Sequence, residues 1–229
     1  MEQPASFREH FNEFKDQLKP AAYWFIAVFA AGYYLAQPVL QYIKNLVGLK
    51  VIAIHPYEIF VTRVEIGFYL ALIVTLPMIS TQVIRFFKPA FTEKEYIQIK
   101  KYIPLLFTCS ILGLTVGTIF LTEMATGFLQ GLATGTGIEN TWTISNITSY
   151  IAKLSLATSL IFNIPVVVIL LNKTGAVELP KFKKYRKHAL IGSVLTAALL
   201  SPPDFFSMMF LALPSYGFYE GGIKLAAIL

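Results

Sequence analysis

The sequence predicts an all-α, polytopic membrane protein with six transmembrane helices, the last two short, and with both termini on the cytoplasmic side. Three observations carry this prediction. Of the 229 residues, 55% are hydrophobic and only 14% are charged, against roughly 25% charged in a soluble domain. Apolar runs recur along the whole chain, so no polar half remains to fold as a separate domain. The basic residues collect in alternate connections between those runs, as the enrichment of Lys and Arg in cytoplasmic loops requires.

Residues 1–20 read as a cytoplasmic amphipathic helix. Phe7, Phe11, Phe14 and Leu18 recur at helical spacing, with Glu9, Glu13 and Asp16 on the opposing face. An acidic strip gains nothing from an anionic membrane surface, so that face points to a cationic partner. A first span, 21–43, follows Pro20. Further spans at 63–84, 102–121 and 149–171 each approach the ~20 residues that cross ~30 Å of hydrocarbon. The apolar cores of the last two segments, 188–201 and 205–220, reach only about 18 and 22 Å at 1.5 Å per residue. They are expected as two short spans turned by Pro202 and Pro203 in a locally thinned bilayer. Pro77, Pro165 and Pro214 predict kinks within helices, and Gly113 with Gly117 predicts a close-packing face on the third span.

Fifteen Lys and Arg residues lie in the N-terminal tail, the connections 85–101 and 172–188, and the C-terminal tail. The opposite connections hold Lys44 and Lys50, with Arg63 at the entrance to the second span. Those outer connections, 41–62 and 123–147, also carry apolar and aromatic residues. They are expected to cap the membrane interface, with Trp142 as an anchor.

Catalytic patterns are absent. His10, His55 and His188 lie in three different segments, and Cys109 is the sole cysteine. There is no metal-ligand spacing, phosphate-binding loop or nucleophile elbow, so neither an enzyme nor a cofactor is expected. The net charge of +6 follows from topology rather than from nucleic-acid binding. Glu93 and Glu95 sit among Lys94, Lys100 and Lys101, which could simply neutralise them. Within the spans, Glu65 and Lys153 have opposite signs near the outer ends of their helices, taken as antiparallel, and are expected to pair because lone buried charges are costly. The same pair supports an alternative reading as a small secondary transporter or proton channel, although the inverted repeats such folds show are not visible.

Several ordered motifs go further. HFNEFKDQL (10–18), HPYEIF (55–60), LPMISTQVIRFFKPAFTEKE (76–95), FNIP (162–165) and LSPPDFFSMMFLALPSYGFYE (200–220) together resemble the TatC family of the twin-arginine protein translocase. The third run aligns Pro77, Gln82, Phe86, Pro89 and Glu95 with the family pattern, and the last aligns Pro202, Pro203, Asp204 and Glu220. Of these, Pro77, Pro89, Pro202, Pro203, Asp204 and Glu220 are expected in structural or partner-interface roles. The resemblance implies a receptor for precursors bearing an Arg-Arg signal peptide, bound at the cytoplasmic face by Glu13 and Glu95, with His10, Lys15, Gln82 and Phe86 nearby. It also implies single-span partners of the TatA and TatB type, homo- and hetero-oligomers, the proton motive force as energy source, and a cell inner membrane or an organellar one. Three positions depart from the pattern: Lys15 stands for Arg, Asn163 for an intramembrane Glu, and Glu65 for a common Lys, while Lys153 keeps a basic position.

Overall fold

The computed structural model describes residues 7–47, 51–86, 92–133, 141–201 and 204–229, which are almost wholly helical. Helix α1 (Phe7–Val47) pairs antiparallel with α2 (Glu58–Phe86), and α3 (Glu93–Lys101) leads into α4 (Ile103–Val116). A π-helical turn, Gly117–Leu121, joins α4 to α5 (Thr122–Ala133), and α6 (Ile144–Lys173), α7 (Leu179–Lys184), α8 (Arg186–Leu200) and α9 (Phe205–Ile228) follow. Four stretches are long and apolar enough to cross a membrane: Leu18–Leu46, Glu58–Ile79, Ile99–Leu132 and Ile144–Lys173.

The boundaries differ from the sequence expectation in three places. The amphipathic segment and the first span form one helix that runs through Pro20 and Pro38. Proline forfeits one bond to the carbonyl four residues earlier. For Pro20 that carbonyl belongs to Asp16, on an exposed turn where Asp16 pairs with Lys19 at 2.6 Å. The third span does not stop at 121 but continues to Ala133, so part of the expected outer loop is helix. The Thr122 hydroxyl donates to the Gly117 carbonyl at 3.0 Å and supports the wider turn. Finally, α9 has 24 residues, about 36 Å of helix, so of the last two helices only α8 is too short to span an ordinary bilayer.

Helix α6 is the hub. Half of its span is buried (50%), against 11% for the span in α1. It packs antiparallel to α4 and, through Leu154, Ala157 and Ile161 against Leu211 and Ala212, parallel to α9. Small residues allow the closest approaches: a Cβ on Gly113 would lie 2.6 Å from the Cα of Ser159, and one on Gly117 would collide with Thr158. The expected close-packing face is therefore used, and it is used against α6. Short polar side chains lace the seam, with Ser159 Oγ donating to the Ser110 carbonyl (3.1 Å) and Thr118 bonding Ser155 (2.8 Å). In the apolar environment of a bilayer, such packing and bonding replace the hydrophobic drive available in water.

At the other side of the bundle, Gly32 and Gly67 let α1 and α2 touch, a Cβ on Gly32 falling 2.9 Å from the Gly67 Cα. The antiparallel register follows from Phe25 against Phe68 (centroids 5.8 Å) and Arg63 Nη2 donating to Gln37 Oε1 at 2.8 Å.

Candidate functional site

The helices divide the molecule into two ends. One holds both described chain ends, α3 and α7; the other holds the connections between α1 and α2 and between α5 and α6.

At the first end, His10, Glu13 and Lys15 fall on the opening turns of α1, Gln82 and Phe86 on the last turns of α2, and Glu95 on α3. Gln82 is buried and Lys15 exposed. The side chains of His10, Glu13, Phe86 and Glu95, and Pro89 as a whole, lie outside the described residues, as do Pro202 and Pro203. Continuing the α1–α2 register sets the turn of Glu13 level with the final turn of α2, from which the chain passes to α3. Two acidic positions far apart in sequence thus belong to elements at one end of the bundle.

The same end is strongly basic. Lys181, Lys183 and Lys184 are exposed on α7, whose Phe182 is buried. Arg186 pairs with Glu220 at 2.8 Å, and Glu220 also accepts from the Tyr216 hydroxyl at 3.0 Å. Glu220, aligned by resemblance with a partner interface, therefore ties α8 to α9. Asp204 has an equally local role: its carboxylate caps α9 by accepting from Ser207 N at 2.7 Å.

The second end is held by a carboxylate that the sequence reading quoted within a motif but did not assign. Glu58, 7% exposed, accepts from the backbone N–H groups of Ile54 (2.7 Å), His55 (3.3 Å) and Ser145 (3.2 Å). It sits at the N-termini of both α2 and α6, where partial positive charge favours an anion. Beside it, β1 (Val51–Ile52) pairs parallel with β2 (Trp142–Thr143), Val51 opposite Trp142. Trp142, expected as a membrane anchor, is half-buried over Ile43, Ile147 and Ile151, where the α1–α2 and α5–α6 connections pack on each other.

Between the ends, the expected Glu65–Lys153 pair does not form. The Glu65 carboxylate accepts from the Ser149 hydroxyl, Lys153 is exposed, and neither described ion pair involves them. The helices run parallel, as every second pass of an up-and-down bundle must, and helix side chains lean toward the N-terminus. Glu65 therefore reaches up to Ser149 rather than down to Lys153. Asn163 serves the α4–α6 seam, its amide donating to Ser110 Oγ and to the Ser159 carbonyl, each at 2.8 Å. Pro77 lies within α2, beside Leu106 and Leu160 on a groove that runs along α6.

A helical hub, four spans and two chemically distinct ends define a polytopic α-helical membrane protein with no enzyme-like constellation of side chains among the described residues. The chain belongs to the TatC family: the family model described as Sec-independent protein translocase protein (TatC) matches residues 9–214. It is 25% identical over 224 residues to TatCy of Bacillus subtilis, covering 96% of this chain and 88% of that one. To TatC of Escherichia coli it is 31% identical over 179 residues, 77% of this chain and 68% of the relative. To the chloroplastic TATC of Pisum sativum it is 29% identical over 187 residues, 78% of this chain and 52% of the relative. The fold matches the crystal structure of the twin arginine translocase receptor TatC with a TM-score of 0.81 at 22% identity, covering 96% of this chain and 99% of the other. The chain is thus a membrane protein of the TatC component of the Sec-independent translocase, a family of transport proteins rather than of enzymes.

Proposed function

We propose that this chain is a receptor for twin-arginine signal peptides, binding the Arg-Arg motif of folded precursors at its cytoplasmic face through Glu13 and Glu95. The observation that carries this reading is that the opening turns of α1 and the start of α3 belong to the same end of a TatC-family fold. The chemistry is suited to arginine. A guanidinium is a planar fork that takes a carboxylate bidentately and stays charged at any physiological pH. One carboxylate cannot satisfy two such forks, so two are required. Each charge-assisted bond contributes roughly 1.5 to 3 kcal/mol. Lys15, His10, Gln82 and Phe86 complete the surroundings of that site. The receptor works in a cell inner membrane with TatA- and TatB-type single-span subunits, in homo- and hetero-oligomers, and export draws on the proton motive force.

The test is binding of an Arg-Arg signal peptide to the purified protein. Lys-Lys substitution in the peptide, or Glu13→Ala with Glu95→Ala in the protein, is expected to abolish it; unchanged binding by the double variant refutes the site. Orientation is tested separately. In a Cys109→Ser background, a cysteine at Thr136 is expected to react with a membrane-impermeant maleimide only from outside, and reaction only from the cytoplasm contradicts the topology.

A further inference from the structure

A groove of about 380 Å³ lies along α6 beneath α7, with walls from α2, α4 and α9. Its floor on α6 includes Leu160, Val167 and Leu171, all exposed, so the groove opens toward the surrounding hydrocarbon. From Leu160 to Leu171 is about 16 Å of helix, roughly half the ~30 Å hydrocarbon core and so the depth of one leaflet. Its end at the basic side is closed by Phe182, the buried residue of α7.

Lys181 and Lys183 flank Phe182 in the chain and Lys184 follows; all three are exposed. The Tyr219 hydroxyl donates to the Phe182 carbonyl at 2.9 Å and holds this helix over the groove. Of the acidic groups nearby, Glu220 is engaged by Arg186 and Tyr216. That leaves Glu178, at the N-cap of α7, against Lys181, Lys183, Lys184 and Lys187. An apolar slot one leaflet deep thus ends under a cluster of cations.

We propose that this groove is a specific binding site for an anionic phospholipid, one acyl chain lying along Leu160, Val167 and Leu171 and the headgroup phosphate held by the lysines of α7. Size argues against a helix as the occupant. A helix with side chains is at least ~10 Å across, so a 16 Å length occupies roughly 1,300 Å³, about one and a half times the roughly 850 Å³ of empty space in the groove, its open mouth included. An extended peptide fails on polarity, since its backbone N–H and C=O groups need partners in a membrane. Among the described lining side chains Asn163 and Tyr219 are polar; their donors are already used, and the unpartnered Asn163 Oδ1 could take one N–H of a peptide but not the rest. An acyl chain has no such need, and the phosphate answers the charge. Basic residues near a membrane surface attract anionic lipid by about 1 kcal/mol each, roughly five-fold per lysine engaged.

Native mass spectrometry of the purified protein in micelles, offered equimolar phosphatidylglycerol and phosphatidylcholine of the same chain length, tests the site. One phosphatidylglycerol is expected to be retained in at least roughly five-fold preference. The exposed-surface variant Lys181→Gln/Lys183→Gln/Lys184→Gln is expected to lose the preference, and Val167→Phe, which narrows the groove and leaves the lysines, to lose retention of either lipid. Equal retention of the two lipids, a preference unmoved by the Gln substitutions, or retention unmoved by Val167→Phe overturns the proposal. Displacement of the retained lipid by a signal peptide that binds the Gln variant normally assigns the groove to the precursor instead.

Discussion

The two ends of this bundle spend their acidic residues in opposite ways. At the end that holds the α1–α2 connection, the outer one in the proposed topology, Glu58 is buried, accepts three backbone N–H bonds and joins segments 87 residues apart in sequence. At the basic end, Glu13 lies on the opening turns of α1 and Glu95 at the start of α3, with Lys15, Lys100 and Lys101 exposed on the same elements. Glu58 is committed to its own backbone, so it has nothing left to offer a ligand. On the proposed function, a receptor for a cationic peptide needs carboxylates of the other kind, and the two ends then separate holding the fold from recognising a partner.

The largest expected effect lies at the outer end. Glu58→Ala strands three backbone donors, each costing about 1 to 3 kcal/mol if left unpaired. A loss of at least about 3 kcal/mol is expected in denaturant unfolding in micelles, with Glu58→Gln, which keeps an acceptor, costing less. Little change in the alanine variant would break the comparison. Next is the hub. Gly113→Leu forces side-chain atoms into the backbone of Ser159, and overpacking of this kind costs about 1 to 3 kcal/mol; an unchanged melting temperature would show that α4 can slide. The middle of the bundle holds a comparable effect and the smallest one, that of Lys153→Met. Ser149→Ala removes a hydrogen bond to a charged group, about 1.5 to 3 kcal/mol at most, while Lys153→Met is expected within about 0.5 kcal/mol. A cycle of Glu65→Gln with Lys153→Met is expected to be additive; strong coupling would restore the ion pair.

These outcomes also mark what the sequence made legible. The spans in α1, α2, α4 and α6 are legible as apolar runs of the right length, interrupted only by Arg63 and Glu65 in the second and Lys153 in the fourth. The continuation of the third span through TEMATGFLQGLA was not legible, because its glycines and Glu123 lower hydropathy where the helix leaves the membrane. The pairing of β1 with β2 is two residues long and has no periodicity to detect. Glu65 and Lys153 were matched by sign and depth, but sign carries no information on azimuth or side-chain lean, and Ser149, a neutral residue, took the bond. The Glu13 and Glu95 assignment came through family motifs alone, since acidic residues in a basic loop read equally well as neutralised surface charges. Glu58 had the opposite fate: the motif HPYEIF was visible, but nothing local announces that its carboxylate reaches Ser145.

The most direct measurement compares the ends in one experiment, reading signal-peptide affinity and thermal stability together for Glu13→Ala/Glu95→Ala and for Glu58→Gln. The double variant is expected to keep the wild-type melting temperature and lose at least about ten-fold in affinity for an Arg-Arg peptide, about 1.4 kcal/mol. Glu58→Gln is expected to melt earlier yet bind with wild-type affinity while folded. Lost affinity in folded Glu58→Gln, or retained affinity in the double variant, would contradict the division of labour between the two ends.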